Sequence, residues 1–424
     1  MARDHSERMT GALNPAQHNL GIASGDQGTE NPLVVPETLH TFYRASGEVL
    51  GYLAIDSDVN GLSAGGIRMI AGTSVEELCY LARAMTLKFS FLNWPCGGAK
   101  AAIVIGRQDL SAQARRECLA SFAERLAPFR GRYLPGEDAG TNTQDLDLIL
   151  RTARMGRASP TLDSSFYTAL TVRICAERLL AEQRRPPAGC TVAVEGFGKV
   201  GGWVARLFSE IGCRVVAVST TSGAIHDPNG LDVQALLRAR ETFGDDCVLR
   251  HDRAQKIEPA QLLALPTDFL IPCALSWSIR SANADQVRAK AIVCGANNAV
   301  TEKAKETLAA RAITYFPDFV SNSGGVLGTI IETVSMDRTR AVEILRRQFE
   351  PKLEDLFTRA RSTGQLLDTV ARDIAAANRQ ERTQRQTTAM SRWSSLAGLA
   401  YRQGLLPRRI VKLFAAGYVR RMMT

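Results

Sequence analysis

Two lysines, one aspartate and a glycine-rich turn carry the chemistry this sequence can offer. Lys100 closes "GGAK" and leads straight into the apolar run "AAIVIG". Glycine lets another backbone come close, so the ammonium arrives at the edge of a hydrophobic strand, where water is scarce. A lysine in such a place loses its proton more readily than one in bulk water. Lys88 stands twelve residues upstream and Asp138 lies downstream in "GEDAGT". A second constellation is "VEGFGKVGG", with Gly196, Gly198 and Gly201 spaced as G-x-G-x-x-G between an apolar strand and a helical segment. The first glycine permits a tight turn, the second lets the backbone approach a pyrophosphate, and the third lets the helix pack close to the sheet. The helix N-terminus then offers free N–H groups to phosphate. This context predicts dinucleotide binding. The acid usually expected about 20 residues on, at the end of the second strand, is absent from "VSTTSG". Thr220 occupies its place and Thr221 follows, so NAD and NADP both stay open. Asp227, in "DPNG", reads as a turn residue.

The elements that must position these groups follow from periodicity. "HTFYRAS" and "EVLGYLAID" read as paired strands, and "SVEELCYLARAMTLKFSFL" as a helix capped by Ser74, with Leu78, Leu81, Ala82, Met85 and Phe89 on one face. "AKAAIVIG" reads as a buried strand, followed by a helix from Ser111 to Leu126. From about Thr161 the pattern becomes alternating βα units: "CTVAVEG", "CRVVAVST", "TDFLIPCAL", "AKAIVCGAN" and "AITYFPDF" are strands with helical text between them. The fold class is α/β: a mixed α/β domain, then a doubly wound parallel sheet of Rossmann type. The predicted organisation is a polar leader over 1–32, a substrate domain over 33–160, a dinucleotide domain over 161–330, C-terminal helices over 331–380 and a basic amphipathic tail over 381–424.

The chain has 424 residues, 45% of them hydrophobic, enough for two cores. Net charge is +9, and the stretch from Ala371 to Thr424 supplies all of it, with eleven Arg or Lys against Asp373 and Glu381. The remainder is near neutral, which excludes a nucleic-acid groove through the core domains. Nine scattered cysteines without CxxC pairs read as core thiols in a reducing cytosol, and no metal set stands out. No apolar run is long enough to span a bilayer. For the tail, packing on a neighbouring subunit or domain is preferred to membrane-surface contact or disorder.

The segments "GGIRM", "MTLK", "GGAKAAI", "GEDAGT", "GFGKVG", "AVSTTSGAIHDPNGLD", "PCAL", "GANN" and "PDFVSNSGGV" occur in an order and spacing that resembles the glutamate/leucine/phenylalanine/valine dehydrogenases. The resemblance covers about residues 40 to 335. It implies reversible oxidative deamination of an L-amino acid to its 2-oxo acid and ammonia, with NAD or NADP, in a cytoplasmic homo-oligomer. It also implies an active site between the two domains and C-terminal helices returning to the first. Lys100 would be the catalytic base, with its pKa lowered by a neighbouring cation, Lys88. Asp138 would carry protons, and Lys88 would hold the substrate α-carboxylate. Gly65 and Gly66 would lie along the substrate. The cofactor would rest on Gly196, Phe197, Gly198, Lys199, Val200 and Gly201, with Thr220 and Thr221 beyond them, and would meet Thr168, Ala274 and Asn297. Asn322 would sit where cofactor and substrate meet.

The side-chain pocket departs from the glutamate-specific pattern. Where such members place a lysine, this chain has Ala64, and a carboxylate buried without a cation costs several kcal/mol. Gly136, two residues before Asp138, resembles phenylalanine-type members. Val326 and Thr329 would line the remaining wall, the latter with a hydroxyl resembling the serine of glutamate-type members. The pocket is therefore expected to take a large apolar side chain. The competing readings are a glutamate dehydrogenase with a rearranged pocket and a weakly active homologue that serves as a binding protein.

Overall fold

The computed structural model describes residues 30–106, 110–158, 163–251, 253–335 and 338–385. The leader up to residue 29 and the basic tail from residue 386, with the tail's expected contacts, lie outside them. The chain divides into two compact units: Leu33–Thr161 with the chain from Ala375 onward, and Leu162–Ile374 with Gly28–Pro32.

The first unit is built on five strands, β1 (Thr38–Tyr43), β2 (Val49–Ile55), β3 (Ser63–Arg68), β4 (Gly97–Ile103) and β5 (Tyr133–Glu137), ordered β1-β2-β4-β3-β5. β1 and β2 form the expected hairpin, and β4 runs antiparallel to β2 but parallel to β3. Helix α1 (Val75–Phe91) starts where Ser74 accepts a hydrogen bond from the Glu77 N–H at 3.0 Å. It covers one face of the sheet, where Leu78, Cys79 and Ala82 pack on Ala54 and Ala102. Helices α2 (Ala112–Leu126) and α3 (Thr143–Thr152) complete the unit. Phe122, Leu126 and Ile149 from these two helices close the other face over Leu53, Ile67 and Ala101. Alternation along a strand thus gives each face its own cover.

The second unit opens with α4 (Ser164–Glu182) and continues as β6 (Thr191–Glu195), α5 (Lys199–Glu210), β7 (Arg214–Thr220), β8 (Gly223–His226), α6 (Val233–Phe243), β9 (Gln255–Ile257), α7 (Pro259–Leu263), β10 (Phe269–Pro272), α8 (Ser281–Ala284), β11 (Ala291–Val293), α9 (Glu302–Ala310) and β12 (Thr314–Phe316). Strands β12-β11-β10-β6-β7 are parallel, as expected of a Rossmann-type sheet. At one edge β8 and β9 extend this sheet with two short antiparallel strands. After a short α10 (Asp318–Ser321), helices α11 (Gly324–Ser335), α12 (Arg338–Thr363) and α13 (Leu367–Arg385) follow.

The C-terminal helices return to the first unit, as expected, through the chain from Ala375. α12 packs on α4 and α11 within the second unit, where Arg178 pairs with Glu354 at 2.7 Å. Only the chain from Ala375 belongs to the first unit. There Asn378 donates to the Ser90 carbonyl at 2.9 Å and Arg382 to Asn93 Oδ1 at 2.6 Å.

Candidate active site

Strand register decides which side chains of the first unit meet. Ala64 of β3 pairs in parallel with Gly98 of β4 and Leu134 of β5, and Gly66 pairs with Gly136. Partners in register share a face, and every second residue returns to it. One face therefore carries Ala64, Gly66, Arg68, Gly98, Lys100 and Gly136, and Asp138 continues that parity just past β5. This is the α1 face. The glycines are there for clearance. A Cβ at Gly98 would stand 2.1 Å from the Thr86 nitrogen of α1, and one at Gly66 would stand 2.8 Å from Asp138 Cβ. Gly65 faces the opposite way, and its missing side chain makes room for the Ala99 carbonyl. Gly136 has open space where a side chain would be.

On that face Lys100 Nζ lies 3.0 Å from Asp138 Oδ1, and the lysine side chain is 3% exposed. Arg68 Nε donates to Asp138 Oδ2 at 2.7 Å, and its other end reaches Glu77 of α1 at 2.5 Å. Asp138 is thus gripped on both oxygens. Burial would raise its pKa, but the Lys100 and Arg68 cations prevail and hold it below the ordinary carboxylate range. Burial pushes the Lys100 ammonium the other way, down from its usual value. Asp138 opposes that shift and Arg68 adds to it. The depressing cation is therefore Arg68, where the sequence reading named Lys88. Lys88 itself is buried in the last turn of α1. Arg68 was missed although it stands in the quoted "GGIRM" segment. Its signal was its parity with Ala64 and Gly66.

In the second unit the glycine-rich turn has the form its spacing predicts. Gly196 has φ +87°, in the left-handed region, with its face against Ala274. A Cβ at Gly201 would strike the Gly196 carbonyl at 1.9 Å, so the third glycine sets how closely α5 meets the turn. Gly198, the N-cap of α5, has open space on its side-chain side and no side chain caps the helix. Phe197 is 1% exposed, so it belongs to the core, and its N–H donates to the Ser219 carbonyl at 2.6 Å. Lys199 is exposed, while Val200 packs against Gly295.

Comparison with known proteins assigns the two halves. Residues 161–391 match the model of the Glutamate/Leucine/Phenylalanine/Valine dehydrogenases, and residues 40–155 match that of the Glu/Leu/Phe/Val dehydrogenase dimerisation domain. The chain belongs to this family. Glutamate dehydrogenase B of Halobacterium salinarum is 31% identical over 405 residues, covering 90% of this chain and 94% of that protein. The glutamate dehydrogenase of Thermotoga maritima is 32% identical over 301 residues, covering 67% and 72%. The hetero-hexameric glutamate dehydrogenase from Thermus thermophilus, in its Leu bound form, superimposes with a TM-score of 0.74 at 26% identity over 83% of this chain and 90% of that one. L-tryptophan dehydrogenase from Nostoc punctiforme shares the fold, with a TM-score of 0.59 at 23% identity over 82% and 96%. As a member of the family, the protein is an NAD(P)-dependent amino-acid dehydrogenase.

The residues of this dehydrogenase fit a dinucleotide. Among the described residues, the buried polar atoms without a hydrogen-bond partner include Ser276 Oγ after β10, Asn298 Nδ2 after β11 and Asn322 Oδ1 after β12. All three follow the carboxyl ends of parallel strands, where ligands of open α/β sheets bind. Buried polar groups left without partners are costly, and a bound ligand supplies partners. Asn322 Nδ2 donates to Asn297 Oδ1 and to the Ala296 carbonyl, both at 3.0 Å, which aims its free oxygen. Glu195, just before the turn, is raised by burial to about 7, with the Ser278 hydroxyl opposing the shift. Thr168 donates to the Ser164 carbonyl at 2.8 Å, and its hydroxyl sits where a Gly325 side chain would be. Thr329 likewise gives its proton to the Gly325 carbonyl of its own helix, at 2.8 Å. Val326 lies one turn before it on α11, partly exposed. Thr220 and Thr221 are engaged by Asp245, an acid the spacing rule did not reach.

Proposed function

We propose that this family member catalyses reversible oxidative deamination of a large apolar L-amino acid, such as a leucine- or phenylalanine-like substrate, to the 2-oxo acid and ammonia. The observation that carries the reading is the buried Lys100–Asp138 contact, with Arg68 as the second cation on the carboxylate. Lys88 holds the substrate α-carboxylate. The turn of Gly196, Gly198 and Gly201 would hold the dinucleotide, which would supply the acceptor for the hydride of the substrate Cα. Lys100, its proton loosened by burial and by Arg68, takes a proton from the water that attacks the resulting iminium carbon. Asp138 receives that proton from Lys100 and passes it to the nitrogen, and the C–N bond breaks to release ammonia as the new hydroxyl gives its own proton back to Lys100. Gly66 keeps the strand thin beside Asp138 on the face where the substrate would lie, and Asn322 orders the dinucleotide side.

Ala64 and Gly136 support an apolar substrate, because a side-chain carboxylate placed against them would lack a cation and lose several kcal/mol of solvation. The Thr329 hydroxyl donates to its own helix, which accords with an apolar wall. The curated relatives named above are glutamate dehydrogenases, and this favours a second reading, glutamate turnover in a rearranged pocket. Assembly into an oligomer accords with the Thermus thermophilus neighbour, which is hetero-hexameric.

Reductive amination of phenylpyruvate, 4-methyl-2-oxopentanoate and 2-oxoglutarate, each with NADH and NADPH, separates these readings. The apolar oxo acids should give the higher kcat/KM, and a preference for 2-oxoglutarate would establish the glutamate reading. Lys100→Ala should lower kcat by about 10²-fold or more while dinucleotide binding persists. Ala64→Lys should move preference towards 2-oxoglutarate.

A further inference from the structure

In a doubly wound sheet the adenosine ribose of a dinucleotide lies against the end of the second strand of the binding unit. Here that strand is β7, which ends at Thr220 and turns through Thr221 and Ser222 into β8. The strand carries no acid. Two acids arrive instead from the short 3₁₀ segment Gly244–Val248 that follows α6. The Thr220 hydroxyl donates to the Asp245 main-chain carbonyl at 2.7 Å, and the Thr221 hydroxyl donates to the Asp245 carboxylate. The Ser222 hydroxyl donates to Asp246 Oδ1 at 2.7 Å. Gly244, with φ +57°, ends α6 and turns the chain so that the two acids face the strand end. Arg240 reaches Asp245 at 2.8 Å and offsets one of the two charges. The Thr221 hydroxyl and Arg240 hold the Asp245 carboxyl below its usual range, so it is ionised at neutral pH. Asp246 is exposed at the same turn.

We propose that Asp245 and Asp246 replace the acid missing from β7 and make the enzyme select NAD over NADP. The inference rests on the dinucleotide reading of the glycine-rich turn and goes beyond it, since that turn contacts a pyrophosphate common to both cofactors. A 2′-phosphate carries close to two negative charges at neutral pH. At this turn it meets a carboxylate pair that a single arginine only partly compensates, whereas a free 2′-hydroxyl meets acceptors it can donate to. Discrimination therefore acts by repelling the wrong ligand as much as by holding the right one.

The test uses the full-length protein and the dissociation constants of NADH and NADPH, read from nicotinamide fluorescence without any substrate. The intact protein should bind NADH about tenfold or more tightly than NADPH. That gap should narrow as NaCl is raised from about 50 to about 500 mM. Asp246→Asn should shrink the ratio severalfold, chiefly by tightening NADPH, and Asp245→Asn/Asp246→Asn should shrink it further. Asp246→Asn leaves every contact of Asp245 in place, and the salt series needs no variant. Equal or tighter NADPH binding by the intact protein would overturn the proposal, as would an unchanged ratio in folded Asp246→Asn. Saturable binding of neither dinucleotide would overturn the cofactor reading beneath it, a different failure from a lack of preference between the two.

Discussion

At Lys100, three charges inside one hydrogen-bonded chain decide what the amine can do. Asp138 stabilises its protonated form, while burial and the Arg68 guanidinium destabilise it. Removing the cation should therefore let Lys100 keep its proton to higher pH. In Arg68→Gln, the rise of kcat/KM with pH should move upward by about one unit. Arg68→Lys, which preserves the charge, should recover most of the original profile. Equal loss of kcat/KM at every pH in Arg68→Gln would mean that the guanidinium only braces the fold. Lys100 and Asp138 were readable in the sequence because their segments resemble a family. Arg68 was not, because an arginine after an apolar residue looks like a solvated strand end. Only the register of β3 against β4 and β5 puts it beside the carboxylate.

Among the elements, those with a strong local signal were legible and those made by pairing were not. α1 announced itself through Ser74 and its apolar face, and β4 through its apolar run. β3 reads "SAGGIR" and β5 reads "YLPGE", with glycine where a strand usually carries bulk, so neither shows an alternating pattern. β3 is thin because its neighbours press on it, Ala99 of β4 at Gly65 and Asp138 at Gly66, and β5 is a strand by its pairing with β3. β8 and β9, of four and three residues, are too short to carry a period. Asp245 lies 25 residues beyond Thr220, and only the return of the chain after α6 unites them. The two kinds of glycine should respond differently to one added methyl. Gly98→Ala drives a Cβ into the Thr86 amide and should cost about 1–3 kcal/mol, seen as a lower melting temperature. Gly136→Ala enters open space and should melt like the parent. If Gly136 borders the substrate side chain, that variant should also raise KM for phenylpyruvate more than for 4-methyl-2-oxopentanoate.

Over the whole molecule, neither unit is a continuous stretch of chain. Glu30 belongs to the second unit, where it takes the Thr301 hydroxyl at 2.8 Å and both the amide and the hydroxyl of Ser281. Its carboxylate thereby faces the first turns of α8 and α9, where a negative charge is favoured. The Asn31 side chain accepts from the Glu302 N–H at 2.9 Å beside it. Glu30→Ala removes a charged partner from these donors and should cost the second unit about 1–3 kcal/mol. In hydrogen exchange, amides of α9 should lose protection while those of α1 keep theirs. Uniform loss across both units would show that they unfold as one.

Helix α13 gives this interlacing a direction in time. Ser90, Phe91 and Asn93 are made early, yet the side chains that take up their main-chain groups, Asn378 and Arg382, leave the ribosome nearly three hundred residues later. The Rossmann-type sheet is by then fully synthesised. During translation the half that carries Lys100 is therefore completed second, although it is encoded first.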